Sequence, residues 1–284
     1  MDKRGWMMMR VFINRYNPKA GDALLKFLPK EEMQVVLQQD IRSTDLTPIL
    51  HQPEKLVKQM HHSWIKPLLK KFPDELLPVV GASLTPEQAV GLQIPLSPAS
   101  IAPLVKTFII NNLYHQLEVH DLLPLDYLPE TEFSILAKWT KSQLMLLIDF
   151  LGLYDLATEV RRIVNRDYLK NIYTCLTPKQ FYYLKICLQQ KERFTTPKLG
   201  IDPTKKNCEQ LKQLLHRRGL FRLGRGLHHQ HPDLIWYLAH KLDTGRGKIL
   251  MNEFQASVTP TAESVLKGQI LNLMNFLKPE LNAL

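Results

Sequence analysis

Hydrophobic positions along the chain recur at helical spacing, and no stretch alternates apolar and polar residues for the length of a β-strand. The densest apolar pattern lies at residues 144–164, LMLLIDFLGLYDLATEVRRIV. Its apolar part is shorter than the roughly 20 residues that a membrane span requires, so we expect a buried helix. A helical break is predicted between Gly152 and Asp155, because Gly inside a helix costs roughly 1 kcal/mol relative to Ala. The pattern as a whole predicts an all-α, multi-helix array.

Proline and threonine mark several predicted helix starts. Thr85-Pro86 and Thr177-Pro178 place Thr at the N-cap and Pro in the first turn, where its missing N–H costs nothing. Another helix is predicted from about residue 102 to residue 119. Its apolar residues are expected near one face: Leu104, Phe108, Leu113 and Leu117. The other predicted helices cover residues 133–140, 167–176, 178–190, 208–216, 232–242 and 260–284.

Two N-terminal segments resemble each other. ALLKFLPKEEMQVV (Ala23–Val36) and PLLKKFPDELLPVV (Pro67–Val80) share Leu-Leu-Lys, a Pro followed by an acidic step, and a closing Val-Val. The recurrence predicts two related helical units, with chance similarity as the alternative. The expected organisation is a helical N-terminal region, a Pro-rich linker, a helical body and an amphipathic C-terminal helical tail, over residues 1–94, 95–103, 104–250 and 251–284.

Charge and cysteine content bear on partners and location. Lys and Arg number 37 against 27 Asp and Glu, so the formal charge is +10, which suits nucleic acid, an acidic protein or an anionic membrane as partner. The three cysteines, Cys175, Cys187 and Cys208, are odd in number, and we expect them to be reduced thiols. No signal peptide or transmembrane segment is predicted, and the expected location is the cytoplasm.

The strongest basic cluster lies in LLHRRGLFRLGRGLHHQ, residues 214–230, and a second basic step follows the central apolar helix. On a helix, the arginines of the first cluster share one side at i, i+4 and i+7. Five arginines are therefore predicted to be exposed contacts to a protein partner: Arg161, Arg162, Arg218, Arg222 and Arg225. A solvated helix face is the alternative. No aromatic residues alternate with the arginines as a base-stacking platform would require, so nucleic acid is the less favoured partner.

No pattern in the chain carries a recognisable catalytic or metal-binding chemistry. The histidines of HHQHP, residues 228–232, lack a Cys or an acidic element at zinc-ligand spacing, so we interpret them as part of a loop or helix end. The two Gly-Arg-Gly stretches at residues 224–226 and 245–247 lack the form of phosphate loops. Gly245 is interpreted as a helix stop. We predict no enzymatic activity, no cofactor, no metal and no catalytic residue.

The order of several short patterns resembles a known family. An apolar helix ending in Leu-Gly-Leu (151–153) precedes Val-Arg-Arg-Ile-Val (160–164), then the basic cluster, then a late helix ending at Lys241-Leu242. Over roughly residues 105–250 this order is similar to that of the SctK/YscK/PscK proteins of type III secretion systems. The two N-terminal units look more like the helical repeats of flagellar switch proteins of the FliG type.

The resemblance implies a helical, non-catalytic adaptor. Proteins of that family bridge the cytoplasmic ring of the injectisome to the pods of its sorting platform. The implied partners are therefore protein subunits of a secretion or ring complex, and the implied place is the cytoplasmic face of the inner membrane, reached only through those partners. The alternative function is a basic helical nucleic-acid-binding regulator, whose affinity would fall steeply with salt. A helical enzyme would need a deep pocket with perturbed titratable groups.

Overall fold

The structure, a computed structural model, describes residues 3–16, 21–38, 53–94, 101–117, 122–190, 199–200 and 207–281. In these residues the protein is all-α, with 15 α-helices and no β-strand, so the predicted fold class is confirmed. The helices are α1 (Lys3–Tyr16), α2 (Gly21–Leu25), α3 (Lys30–Leu37), α4 (Pro53–Gln59), α5 (His62–Ile65), α6 (Leu77–Ser83), α7 (Pro86–Leu92), α8 (Pro103–Gln116), α9 (Lys141–Val160), α10 (Arg166–Thr174), α11 (Pro178–Gln189), α12 (Cys208–Gly226), α13 (Pro232–Lys241), α14 (Thr244–Gln255) and α15 (Pro260–Leu281). Short 3₁₀ helices cover Leu68–Lys71, Asp74–Leu76, Leu125–Tyr127 and Ser134–Lys138. None of the described helices is long and apolar enough to cross a membrane.

The chain divides into two compact units. The first comprises Met1–Gln59 and Phe72–Tyr127, and the second comprises Met60–Lys71 and Leu128–Leu284. This division differs from the predicted one, which placed a linker at residues 95–103. Six of those linker residues, 95–100, lie outside the described part of the chain.

Residues 60–71 belong to the second unit because they bond to the end of α13. The Trp64 indole N–H donates to the Leu242 carbonyl at 2.9 Å, and the His61 amide donates to the His240 carbonyl at 2.8 Å. These bonds join residues nearly 180 positions apart, so no local pattern could have assigned the segment.

In the first unit, α8 packs its buried face against α4 and α6. That face consists of Ile109, Ile110, Leu113 and Tyr114. Leu104 and Phe108 are instead exposed, so the predicted common face of α8 is wrong. Leu104 and Leu113 are nine positions apart, about two and a half helical turns, which places them on opposite sides of the helix.

The two similar N-terminal segments adopt different structures. Ala23–Val36 covers most of α2 and α3, within the first unit. Pro67–Val80 covers two 3₁₀ helices and the start of α6, and it is shared between the two units. The sequence similarity therefore does not correspond to a repeated helix pair.

The second unit is organised around α9, which packs most extensively against α12 and also contacts α11 and α15. The predicted burial of the central apolar stretch is confirmed, since Leu147, Ile148, Leu151 and Leu153 have no exposed surface. Its start is fixed by a capping box, in which Thr140 accepts from the Gln143 amide and Gln143 accepts from the Thr140 amide.

The predicted break at Gly152 is wrong, because α9 continues through it to Val160. A Cβ atom at Gly152 would lie 2.1 Å from the Leu215 carbonyl oxygen of α12. On α12, a Cβ atom at Gly219 would lie 1.8 Å from the Ile148 carbonyl oxygen. The two glycines therefore allow the backbones of α9 and α12 to touch, and close packing offsets their low helix propensity.

The C-terminal part of the chain contains a helix that was not predicted, α14, and α12 extends beyond its predicted end at residue 216. Gly245 does not end a helix, because the Asp243 carboxylate accepts from the Gly245 and Arg246 amides and caps the start of α14. The predicted amphipathic tail is present as α15, which buries Ile270 and Leu273.

The expected reduced state of all three cysteines is wrong. Cys175 forms a disulfide with Cys208, which joins the end of α10 to the start of α12, and Cys187 is a buried free thiol. The bond closes a loop over a sequence separation of 33 residues that contains α11.

Candidate functional site

Arg222 is buried, and its predicted exposure is wrong. Only 3% of the residue is exposed. Its Nε and Nη2 donate to the Asp155 carboxylate at 3.2 and 2.8 Å, and its Nη1 donates to Gln269 Oε1 at 2.6 Å. A charge can be buried when it is paired and fully hydrogen-bonded, and α9 and α15 supply both conditions. Arg222 therefore joins three helices and takes no part in a surface patch.

The other predicted arginines occupy different local settings. Arg225 is exposed and donates from Nε to Glu253 Oε2 at 2.6 Å. Arg218 is half-buried, and Arg162 is exposed. Arg161 is exposed and donates from Nη2 to three backbone carbonyls at the end of α11: those of Cys187, Leu188 and Gln190. The five arginines do not form one surface, and partner contact by Arg161, Arg162, Arg218 and Arg225 stays a prediction.

The clustered histidines make separate contacts. His231 caps α13 by accepting from the Asp233 amide, as expected for a helix end. His228 bonds to the Phe254 carbonyl at 2.6 Å, and His229 lies 3.1 Å from the Glu263 carboxylate. Across the described ranges, no group of three or more His, Cys, Asp or Glu side chains could hold a metal ion.

A polar chain that the sequence did not reveal joins α9, α12 and α14. Arg246 donates from Nε to His216 Nε2 at 2.9 Å, so the other ring nitrogen, Nδ1, carries the proton and donates to Asp149 Oδ1 at 2.6 Å. Arg246 also pairs with Asp243. Burial disfavours the Asp243 carboxylate, but hydrogen bonds from Arg246 and Gly245 outweigh it and lower its pKa. With both imidazole nitrogens engaged, His216 serves as a connector between helices and not as a free base.

The first unit displays an apolar surface on α8, here called the α8 face. It consists of Leu104, Val105 and Phe108, of which Leu104 is 82% exposed and Phe108 is 68% exposed. Adjacent large apolar residues on a helix are a common feature of protein-binding surfaces. Both residues were predicted to share one face of the helix with Leu113, which is in fact buried on the opposite side.

The second unit displays an apolar groove between α10 and α11, here called the α10–α11 groove. It encloses about 610 Å³, and its apolar lining is Leu169, Tyr173, Leu176, Pro178 and Phe181. The rings of Tyr173 and Phe181 meet edge to face with centroids 5.0 Å apart. Cys175, which lies between the two helices, is tied by its disulfide to the start of α12.

Charged groups flank the α10–α11 groove. Arg166, Lys170 and Asp167 lie along it, and the Lys185 ammonium lies 4.6 Å from the centroid of the Phe181 ring. Three cations against one carboxylate give this groove a positive border. The groove could not be recognised in the sequence, because its two walls come from different helices whose angle is set by tertiary packing.

Comparison of this chain with known protein families, curated proteins and solved structures finds no match.

Proposed function

We propose that the protein is a non-enzymatic adaptor that joins two protein partners, one at the α8 face and one at the α10–α11 groove. The observation that carries the proposal is that each compact unit displays its own apolar surface. An adaptor needs two such surfaces, whereas a single binding module needs one. Burial of a large apolar side chain contributes about 1.5–3 kcal/mol, so two or three residues on each surface are enough to anchor a partner.

The shape and charge of the groove define the partner that it suits. An open apolar trough between two helices accepts the apolar face of an amphipathic helix. The positive border formed by Arg166, Lys170 and Lys185 favours a helix with acidic residues beside its apolar stripe, because opposite charges favour the correct encounter and disfavour wrong partners.

The sorting platform of a type III secretion system is the proposed setting. The support is the resemblance of residues 105–250 to SctK-like proteins, together with the all-α fold. In this setting the partners would be subunits of the secretion ring and of its pods, and the protein would reach the cytoplasmic face of the inner membrane through them.

The alternative, a nucleic-acid-binding regulator, has the formal charge of +10 as its only support. Part of the strongest basic cluster is unavailable for phosphate contacts, since Arg222 is buried against Asp155 and Arg225 is paired with Glu253. The two functions differ in salt dependence: phosphate contacts lose affinity steeply as salt rises, whereas apolar docking changes little.

Affinity capture from the native host tests the proposal, with washes at low and high salt and identification of the eluate by mass spectrometry. Phe108→Glu disrupts the α8 face and Leu169→Glu disrupts the groove. Val90→Glu and Ile135→Glu are matched controls, because both residues are exposed and apolar but lie outside the two surfaces. We expect each disrupting variant to lose a different protein at least tenfold, and the controls to keep both. Recovery of nucleic acid that is lost at high salt would favour the alternative.

A further inference from the structure

A cavity in the second unit differs in character from both apolar surfaces. It encloses about 270 Å³ between α9, α11 and α15, which is close to the lower end of the range of small-molecule sites. Most of its lining residues have hydroxyl or amide side chains: Tyr154, Thr158, Ser264, Gln190, Gln269 and Asn272. We propose that this cavity binds a small polar molecule through an oxyanion, either a carboxylate or a phosphate, that bonds to Arg161. The site is independent of the adaptor function.

Among the described residues that line the cavity, Arg161 supplies the single positive charge. Its Nη2 donates to the carbonyls that end α11, which fixes the plane of the guanidinium. In the described part of the chain, its Nε and Nη1 have no hydrogen-bond partner of their own. A guanidinium presents paired N–H donors at the spacing of the oxygens in a carboxylate or phosphate. Arg161 is thus anchored through Nη2. Its Nε and Nη1 point to different sides of the guanidinium, so one of them can donate a single charge-assisted hydrogen bond to an anion.

The walls of the cavity are fixed before any ligand binds. Arg222 donates to Gln269 Oε1 at 2.6 Å while it is held by Asp155, and the Tyr154 and Tyr183 hydroxyls bond at 2.9 Å. Burial and the neighbouring Tyr154 hydroxyl raise the pKa of Tyr183 above its ordinary range, so the Tyr183 phenol is a neutral hydrogen-bonding group. Side chains held in this way lose little freedom on binding, which favours affinity for small polar ligands.

Gly268 keeps one wall of the cavity open. A Cβ atom there would meet no atom within 4 Å, although Gly268 lies inside α15 and lines the cavity. By contrast, a Cβ atom at Gly226, on the helix packed against α15, would lie 2.5 Å from Ile270 Cδ1. A neighbouring side chain therefore crowds Gly226, whereas the space beside Gly268 is open. A larger side chain at Gly268 would extend into the cavity without a backbone clash.

Isothermal titration of the full chain with malate and, separately, with glycerol phosphate tests the proposal. We expect saturable binding of at least one probe, and the one that binds identifies the oxyanion as carboxylate or phosphate. Arg161→Gln should weaken that binding at least about tenfold, because a charge-assisted hydrogen-bonded contact is lost. Arg162→Gln is the matched control, since it removes the adjacent exposed arginine that does not line the cavity, and it should bind as the wild type does.

Gly268→Leu tests the same site without altering its charge. The leucine side chain should fill the cavity and abolish binding of the probe. Gly268→Ala should retain most of the affinity. Circular dichroism checks that each variant is folded, and if Arg161→Gln unfolds, the Gly268→Leu result decides alone. The proposal is wrong if neither probe binds, or if a folded Arg161→Gln or Gly268→Leu variant keeps the affinity of the wild type.

Discussion

The contact between α9 and α12 depends on two glycines, and replacing one of them gives a sharp test of the fold. In Gly219→Ala the added Cβ atom would begin 1.8 Å from the Ile148 carbonyl oxygen, whereas ordinary van der Waals contact begins at 3.4 Å. Neither backbone can yield locally, so the two helices must move apart by more than 1 Å along the largest helix contact in the second unit. Overpacking of this kind costs about 1–3 kcal/mol, and the lost contacts add to that cost.

The expected effect of Gly219→Ala on the free energy of unfolding is opposite in sign to the effect of helix propensity alone. Ala favours a helix interior over Gly by about 1 kcal/mol, so an open site should gain stability from the same substitution. We expect Gly219→Ala to lower the free energy of unfolding by at least about 2 kcal/mol. Gly268→Ala, the matched control, should leave it unchanged or raise it by up to about 1 kcal/mol, because its Cβ atom would meet open space.

Urea denaturation measures both variants. Of the 4 tryptophans, Trp64, Trp139 and Trp236 lie in the second unit, so intrinsic fluorescence reports mainly on its unfolding. Comparison of the midpoints at a constant m-value gives the change in stability. Equal stability of Gly219→Ala and Gly268→Ala would refute the backbone contact between α9 and α12.

Three further predictions concern buried groups of the second unit. Arg222→Ala should lower the free energy of unfolding by about 3–5 kcal/mol, because it leaves the buried Asp155 carboxylate without its partner. The double variant Asp155→Leu, Arg222→Leu should recover much of this lost stability in urea denaturation. A mild effect of Arg222→Ala alone would contradict the buried pair. Cys175→Ser should cost up to about 4 kcal/mol, and dithiothreitol should lower the melting temperature of the wild type but not of this variant. Burial lowers the pKa of His240 to about 4, so its neutral form is favoured in the folded state. The unfolded chain therefore binds a proton at His240 at a higher pH than the folded protein does. The free energy of unfolding is unaffected by this group above about pH 6.5 and decreases as the pH falls towards 4. His240→Phe should flatten the slope of unfolding free energy against pH in that interval, and an unchanged slope would exclude His240 as its origin.

Local chemistry in the sequence was enough to place most helices. Thr85 and Thr177 begin α7 and α11 with the predicted caps, because a capping box involves only four consecutive residues. The apolar spacing of residues 144–164 located the centre of the second unit for the same reason. The predicted helix boundaries depend on neighbours a few positions apart, and these are visible in the chain.

Two of the errors arose where a distant residue decides the outcome. Gly152 has a low helix propensity, yet α9 continues through it because Leu215 of another helix lies against it. Arg222 was predicted to be exposed, but its ion pair with Asp155, 67 positions away, allows it to be buried. Gly245 was interpreted as a stop because the capping role of Asp243 was not recognised, although this signal was local.

Neither candidate surface was predicted from the sequence. The α10–α11 groove depends on the angle between two helices, which follows from tertiary packing. For the α8 face, the residues were recognised but assigned to the wrong side of the helix. Counting at 3.6 residues per turn from Leu104 to Leu113 would have separated the exposed face from the buried one.

Sequential capture tests most directly whether the protein joins two partners. The protein that Phe108→Glu loses is tagged and captured first, and the complex is then captured again through a second tag on this chain. With the wild-type chain, the protein that Leu169→Glu loses should be present in the final eluate, and with either variant it should be absent. If the wild type never yields both partners in one complex, or if both variants retain them, the chain is not an adaptor that uses these two surfaces.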